Sequence, residues 1–393
     1  MCSYIPSGFC VSYTVPLPKV KDCRTVAMTC DNFRGIAISS ILSKVFEHCI
    51  LNRFRNYFST NDNQFGFKKN LSCSHAIFTI NNIVGRFISG GSTANLCSID
   101  LSKAFDRINH HALLLKLIKR HLPSNLLDIL DIWLSNSWSC VKWLDTLSNF
   151  FKIQLGVRQG SVLSPVLFAI YLDEIVNHRV NGIHSFVILY ADDILLLSSS
   201  LSNLQRMLTA CETELISLDM TINAKKSCCL RIGPRFEAGC SNIISATGIA
   251  LPWVKSMRYL GVFIVSARSF RCSLDSAKRA FHRSLNAIFG RVGRTASEEV
   301  TLHLISSKCL PILLYGLEAC RLTKTDIRSM DFTFNRFLMR LFKTNKLDII
   351  QDCINYFNIK LPSSLLNVRL QRFLEKYRFC DNYFCRLFSK SSD

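Results

Sequence analysis

Residues Phe186–Leu197 read FVILYADDILLL. Two adjacent carboxylates, Asp192 and Asp193, interrupt an otherwise apolar run. On either side, Phe186–Tyr190 and Ile194–Leu197 are short, apolar and partly aromatic or β-branched, which predicts two buried strands. The expected arrangement is a hairpin with Ala191, Asp192 and Asp193 at its tip. Charged groups among apolar neighbours are costly to desolvate, and two of them also repel one another. A cation held at the tip relieves both penalties, so this stretch is read as a cation site at the end of a hairpin.

The rest of the composition bears on that reading. The chain has 393 residues, 49% of them hydrophobic and 19% charged, with only 9 Pro and 16 Gly. That is enough to bury a large core and predicts a chain folded throughout, in two or three domains. The net charge is +20 and the pI about 9.4. A surplus that large points to a polyanionic partner, nucleic acid first; a basic surface kept for solubility is the alternative. No apolar run is read as reaching the ~18–20 residues of a membrane span. The N-terminus, MCSYIP, lacks the charge-then-apolar pattern of a signal peptide. An intracellular chain with no membrane partner is expected, nucleus or cytoplasm being left open. The 18 Cys are scattered and often sit in apolar runs, as buried thiols do. Cys380 and Cys385 have no matching Cys or His pair at zinc spacing.

In chain order, Pro6, Pro16 and Pro18 break any early helix, and Thr14–Lys19 reads as an edge strand. Asn32–Ser40 is extended and ends in a helix cap. Ile41, Val45, Phe46, Cys49, Ile50 and Phe54 then recur at helical spacing. Gln64–Asn70 (QFGFKKN) is a basic turn. Ala76, Ile77, Ile80, Val84 and Phe87 mark one face of a second helix. Leu96–Leu101 is a strand carrying Asp100 near its end, and a tight turn at Ser102–Asp106 follows. Asn109 is the expected N-cap of a helix that turns Leu113, Leu114, Leu117 and Ile118 inward. Ile129–Leu134 suggests another helix, and residues 138–157 a hairpin. The glycine-bracketed loop Gly156–Ser161 leads to Ser164 and Pro165, read as N-cap and first helical residue of a helix Val166–Val176. A helix near Leu204–Leu218, a strand Cys228–Ile232 and a strand pair within Trp253–Val265, bending at Tyr259–Gly261, complete the pattern. From Ser266 the strands are expected to stop. Long helices take over, with Phe281, Leu285, Ile288, Phe289 and Val292 on one face and Ile327, Met330, Phe334, Leu338 and Leu341 on another. This region holds 22 Lys and Arg against 11 Asp and Glu. A domain boundary is placed near 266.

Three carboxylates carry the chemistry: Asp100 at one strand end, Asp192 and Asp193 at the hairpin tip. They meet if the two strands are neighbours. Oxygen ligands without His or Cys favour hard cations, Mg²⁺ above all. Two such ions roughly 3.5–4 Å apart are the usual device for in-line phosphoryl displacement.

Three stretches, Ile99–His110 (IDLSKAFDRINH), Gln154–Pro165 (QLGVRQGSVLSP) and Tyr190–Asp193 (YADD), closely resemble successive motifs of reverse transcriptases, those of non-LTR (LINE-type) retrotransposons most of all. Asn32–Ile36 and Gln64–Phe67 resemble the fingers motifs. Asn223–Ser227 and Arg258–Gly261 resemble the two later palm motifs, and the basic helical tail resembles the thumb. The resemblance runs in order over about residues 14–265. It implies an α+β right-hand polymerase, with fingers and palm in residues 1–265 (an antiparallel sheet plus helices) and a basic helical thumb in 266–393. It implies RNA-directed DNA synthesis from dNTPs on an RNA template and DNA primer, with two Mg²⁺ ions.

Roles follow position by position. Asp100 and Asp192 would hold both metals with help from the Leu101 carbonyl, and Asp193 would be more peripheral. Phe105 falls where the family places a steric gate against a ribonucleotide 2′-OH; the alternative is a core Phe. Gln159 and Gly160 would line the nucleotide and template pocket. Arg34 and Lys68 or Lys69 are candidates for the triphosphate, a solvated basic face being the alternative. Lys226, or its neighbour Lys225, sits where the family has a lysine that protonates pyrophosphate. Tyr259, Leu260 and Gly261 would form the primer grip. His110 and His111, adjacent on a helix, point different ways and read as helix-start residues. No upstream endonuclease and no further C-terminal segment is recognisable, so the chain is expected to be a fragment. The rival reading is a catalytically silent remnant that binds nucleic acid without polymerising. Group II intron and telomerase reverse transcriptases are lesser alternatives.

Overall fold

The computed structural model describes residues 4–19, 28–177, 185–292 and 295–389. At its centre is a four-stranded antiparallel sheet in the order Ser185–Tyr190, Asp193–Ser198, Ala94–Ile99, Cys228–Ile232. The first two strands pair from Ser185↔Ser198 to Tyr190↔Asp193. The hairpin tip is therefore two residues, Ala191 and Asp192, rather than the three expected. Asp193 already belongs to the second strand. Ala191 has φ +56°, a left-handed value that non-glycine residues rarely adopt and that tight hairpin turns often require.

The apolar run is continuous because both faces of the sheet are covered. Along the second strand, Ile194 and Leu196 enter one core, and Leu195 and Leu197 enter another. Leu167, Phe168 and Tyr171 of helix Ser164–Leu172, with Leu204 and Leu208 of helix Leu201–Ser217, cover the first face. Helix Cys73–Ser89 covers the second with Ile77, Ile80, Val84 and Phe87, as its spacing predicts. Each fully buried Leu or Ile contributes roughly 1.5–3 kcal/mol, so the mount beneath the carboxylates is stiff and apolar.

A second sheet joins N-terminal strands to a later one. Val11–Pro18 pairs antiparallel with Phe33–Ser39 and parallel with Trp138–Trp143. The expected edge strand is thus central over its first half. Its parallel pairing ends at Thr14, so Pro16 and Pro18 lie where one side has no ladder to break. Residues 20–27 of this N-terminal segment lie outside the described residues.

Helix Ile41–Arg53 forms as expected but buries only part of the expected face, Ile50 with Phe46 and Phe54 packed against the core. Ser43, Glu47 and Ile50 point inward, while Ile41, Leu42, Val45 and Cys49 are exposed. A polar contact decides the orientation. Glu47, buried, accepts from Ser161 Oγ at 2.5 Å and from the Leu163 N–H at 2.8 Å. Ser161 Oγ in turn accepts from the Leu163 and Ser164 N–H groups. It does the capping assigned to Ser164, and the helix it caps runs Ser164–Leu172, with a 3₁₀ segment Asp173–Asn177 after it. Asn109 caps as expected, accepting from the Ala112 N–H. Leu113 and Leu117 are buried in that helix, but Ile118 is exposed and Lys116 takes an inward place beside Glu174 and Glu214.

Strands do not end at 266. Ser256–Tyr259, Val262–Val265 and Arg271–Ser273 form a three-stranded sheet. Helices follow, on a core of their own containing Phe281, Leu285, Leu313, Met330, Phe334 and Leu338. The stretch Glu298–Ala319 corrects the reading that no apolar run is long enough to span: its 22 residues pass by length and composition. Half of it is buried here, with Leu302, Ile305, Cys309, Leu310 and Leu313 in the helical core. Helix Pro362–Arg378 joins two cores, placing Leu366 in the helical one and Phe373 and Tyr377 against helix Cys73–Ser89. Phe384 and Phe388 of the last helix, Tyr383–Ser389, join the latter core.

The Glu47 contact is testable. Glu47→Ala removes the acceptor of the Ser161 hydroxyl and the shorter of the two acceptors of the Leu163 N–H, which costs about 1–3 kcal/mol. Urea denaturation should show that loss; a midpoint unchanged from wild type would mean the contact is not holding the helix.

Candidate active site

The three carboxylates converge at one end of the central sheet. The strands Ala94–Ile99 and Asp193–Ser198 are neighbours, last paired at Ile99↔Ile194. One residue further along that register come Asp100 and Asp193, with Asp192 in the adjoining turn. Burial pushes the Asp193 carboxyl up to about 6, and the charges of Asp192 and Asp100 add to the shift against a smaller opposing effect of Arg258. Burial raises Asp100 too, with Lys226 lowering it and Asp192 raising it. The three groups share one electrostatic environment.

Backbone contacts fix Asp100 in place. Its N–H donates to Ser227 Oγ at 3.1 Å, and its carbonyl accepts from the Asn223 N–H at 2.8 Å. The Ser102 N–H donates to the Thr221 carbonyl at 3.1 Å. These bonds use the backbone of Asp100 and Ser102 and leave the Leu101 carbonyl out. Lys226 Nζ, well exposed, stands 3.8 Å from Asp100 Oδ2.

The turn bearing Asp192 is held from outside by Gln64. Asn63–Phe65 runs along the edge strand: the Phe65 N–H donates to the Leu189 carbonyl at 2.8 Å and the Leu189 N–H to the Asn63 carbonyl at 2.9 Å. Gln64, wholly buried, accepts through Oε1 from the N–H groups of Gly66 (2.9 Å) and Ala191 (3.1 Å). A Cβ on Gly66 would stand 2.5 Å from the Ala191 nitrogen, so only glycine permits this approach. Sequence reasoning saw QFGF as a turn and missed the support.

Phe105 lies in the 3₁₀ turn Ala104–Arg107, half-buried. Its ring stacks on Phe168 (4.4 Å between centroids) and meets the edge of Phe67 (6.4 Å). Gln159 bridges palm and fingers: its side-chain amide donates to Asp106 Oδ1 at 3.1 Å, and its carbonyl accepts from the Ala37 N–H at 2.7 Å. Gly160 has φ +129°, and a Cβ there would fall 2.3 Å from the Ala37 oxygen. Arg158, between them and the glycine before, donates to the carbonyls of Phe9 and Cys10 and to Ser137 Oγ, so its charge serves architecture.

The other sequence candidates are less concentrated. Arg34 is exposed on the fingers strand and Lys69 on its loop. Lys68 is committed locally: its Nζ donates to the Asn61 carbonyl at 2.7 Å and lies 3.6 Å from Asp62, and burial pulls its pKa down. His110 opens the helix His110–Lys119, with Nε2 at 2.7 Å from the Gly156 carbonyl oxygen. Tyr259 is buried next to the carboxylates. Burial first, then the Asp193 charge, raises its pKa, and its hydroxyl has no partner among the described residues. Leu260 (φ +44°) and Gly261 (φ +87°) form the two-residue turn after it, against the ring of Tyr315.

Among the described residues no three His, Cys, Asp or Glu side chains form a ready-made metal cage. The donor set is all oxygen, and the carboxylate repulsion is what a cation would relieve.

An antiparallel sheet with carboxylates at the ends of adjacent strands, flanked by fingers and a helical thumb, defines the palm of a right-hand polymerase. Residues 17–264 match the family model described as "Reverse transcriptase (RNA-dependent DNA polymerase)". The chain belongs to that family. It is similar to the probable RNA-directed DNA polymerase from transposon BS of Drosophila melanogaster, 25% identical over 312 residues that cover 73% of this chain and 33% of that protein. The RNA-directed DNA polymerase from mobile element jockey of the same organism is 25% identical over 304 residues, with the same coverage. A Pol polyprotein from type-1 retrotransposable element R2 of Popillia japonica is 24% identical, over 65% of this chain and 43% of that protein. The chain spans about a third of the length of the two Drosophila relatives. Among solved structures, apo telomerase from Candida tropicalis is similar with a TM-score of 0.49 and 15% identity, over 86% of this chain and 63% of that one.

The Asp193 shift has a sign that can be checked without metal. A carboxyl raised in the folded state favours folding below its unfolded pKa, near 3.9, and loses that contribution as pH rises through about 6. In EDTA, Asp193→Asn should therefore be more stable than wild type above pH 6, by on the order of 1–2 kcal/mol after solvent screening. The gap should close towards pH 4. Parallel pH profiles from thermal denaturation would contradict the account.

Proposed function

We propose that this chain is the polymerase part of a non-LTR retrotransposon protein, an RNA-directed DNA polymerase that extends a DNA primer on an RNA template from dNTPs. Residues 1–265 are assigned to fingers and palm, and 266–393 to a basic helical thumb whose last helices return to the palm. The single observation that carries the reading is the placement of Asp100 and Asp193 next in register on adjacent strands, with Asp192 at the turn between Tyr190 and Asp193.

Asp100 and Asp192, with the Leu101 carbonyl, would hold two Mg²⁺ ions, Asp193 lying further out. When bound, such ions lower the pKa of an attacking hydroxyl and neutralise charge on the leaving group. The chain's own residues do the rest. Gln64 and Ser227 fix the carboxylate positions through backbone bonds. Lys226, 3.8 Å from Asp100, would give a proton to departing pyrophosphate. The Gln159–Gly160 backbone lies close against the fingers, which suits a wall of the nucleotide pocket. Phe105, wedged between Phe168 and Phe67, would exclude a 2′-OH because its ring cannot retreat. Arg34 and Lys69 remain exposed for phosphates, and Tyr259–Gly261 would support the primer end.

Primer extension on an RNA template with Mg²⁺ tests the reading. Asp192→Asn should reduce extension on the order of a thousandfold, since a metal site supplies several kcal/mol, while leaving template–primer binding intact. Binding without extension by wild type would identify a silent remnant and refute the enzyme. Phe105→Ala should lower the preference for dNTPs over rNTPs by roughly tenfold or more; an unchanged ratio of kcat/KM values would make Phe105 a core residue only.

A further inference from the structure

A groove of about 1280 Å³ runs between the loop after Arg55 and the C-terminal helix Pro362–Arg378. It is larger than the ~300–1,000 Å³ that encloses one small ligand. Besides Lys68, which is held by Asp62, five basic side chains line it, Arg55 and Lys69 from one wall and Arg369, Arg372 and Lys376 from the other. None of the five pairs with a carboxylate among the described residues. The opposing charges are fewer. Asp62 is taken up by Lys68 and by the Asn382–Tyr383 backbone and amide, and Glu318 accepts from Ser74 Oγ, leaving Asp381.

Two of the aromatic side chains lining this basic groove are exposed, Phe67 at 45% and Phe379 at 84%. Phe67 has φ +60°, a costly backbone for a bulky residue, and Gly66 pins it against the Asp192 turn. Its ring edge meets Phe105, so one end of the groove lies beside a residue assigned above to the nucleotide pocket. The walls are clamped together: the Asn382 amide donates to the Asp62 carbonyl at 2.7 Å, the Tyr383 N–H to Asp62 Oδ2 at 3.0 Å, and Phe384 packs on Phe65.

Unpaired phosphate-binding charges along a groove, with exposed rings to stack on, are the equipment for single-stranded nucleic acid. We propose that this groove holds the unpaired template strand leading to the nucleotide pocket, its phosphates on Arg372, Lys376 and Lys69 and its bases on Phe379 and Phe67. The template assignment rests on the polymerase reading above; the single-strand specificity does not.

The test compares two RNA–DNA heteroduplexes by fluorescence anisotropy, one blunt and one with a ten-nucleotide 5′ single-stranded template overhang, across a salt series. Wild type should bind the overhang substrate more tightly. The Arg372→Ala/Lys376→Ala double variant should lose that advantage, keep blunt affinity, and show a log–log salt slope smaller by about 0.7 for each phosphate contact removed. Phe379→Ala should weaken overhang binding by about fivefold or more with the slope unchanged, and Arg372→Lys should retain it. Equal overhang advantage in wild type and double variant would overturn the proposal. So would an equal loss on the blunt duplex, or competition by polyglutamate as strong as by single-stranded RNA, which would mark an acidic-protein site. Because binding needs no turnover, a chain that fails to extend primers can still confirm or refute the groove.

Discussion

Mutual repulsion among Asp100, Asp192 and Asp193 is the constraint on which the rest of the structure depends. Two unit charges about 4 Å apart cost on the order of 4 kcal/mol at a protein-surface dielectric near 20. The sheet that carries these three is apolar on both faces; Lys226 and Arg258 oppose the effect from its margins. Burial first, and the neighbouring carboxylates after it, leave the Asp193 carboxyl raised. Holding carboxylates in that state takes a mount that cannot relax, and the two-sided burial of Ile194–Leu197 supplies it.

The surrounding elements converge on the same place. Gln64 anchors the turn from the edge of the sheet, and Ser227 and Asn223 anchor Asp100 from the other side. Gln159 and Gly160 bind the palm loop to Ala37 of the fingers. Helix Pro362–Arg378 starts in the helical core and ends against helix Cys73–Ser89, so the C-terminal region is coupled to the strand edge that Gln64 supports. Fingers, palm and thumb are tied by a few short contacts close to the carboxylates.

Much of this was legible in the sequence. The motif strands, the helix over 73–89 and the Asn109 cap follow from periodicity and capping chemistry, because local pattern and tertiary burial agree there. The neighbourhood of Asp100 and Asp193 was conditional on strand order, which a single sequence does not encode locally. The misreadings share one cause. Ile41, Val45 and Cys49 look like part of a core face, but the buried Glu47 acceptor orients that helix. Ser164 looks like a cap, but Ser161 is held in position to do the work. Gln64 looks like part of a turn, but its amide oxygen reaches across 127 residues to Ala191. Each time a polar side chain is fixed by a hydrogen bond to a residue distant in sequence (Glu47 to Ser161 and Leu163, Gln64 to Ala191), and a local pattern carries no record of that partner.

The central claim is that the three carboxylates are a divalent-cation site assembled with the substrate. Manganese electron paramagnetic resonance on the chain with template–primer and a non-hydrolysable dNTP analogue tests it most directly. The account predicts two Mn²⁺ per chain, weakly held without nucleotide and both lost in Asp100→Asn. Stoichiometric Mn²⁺ binding that survives that substitution would contradict it.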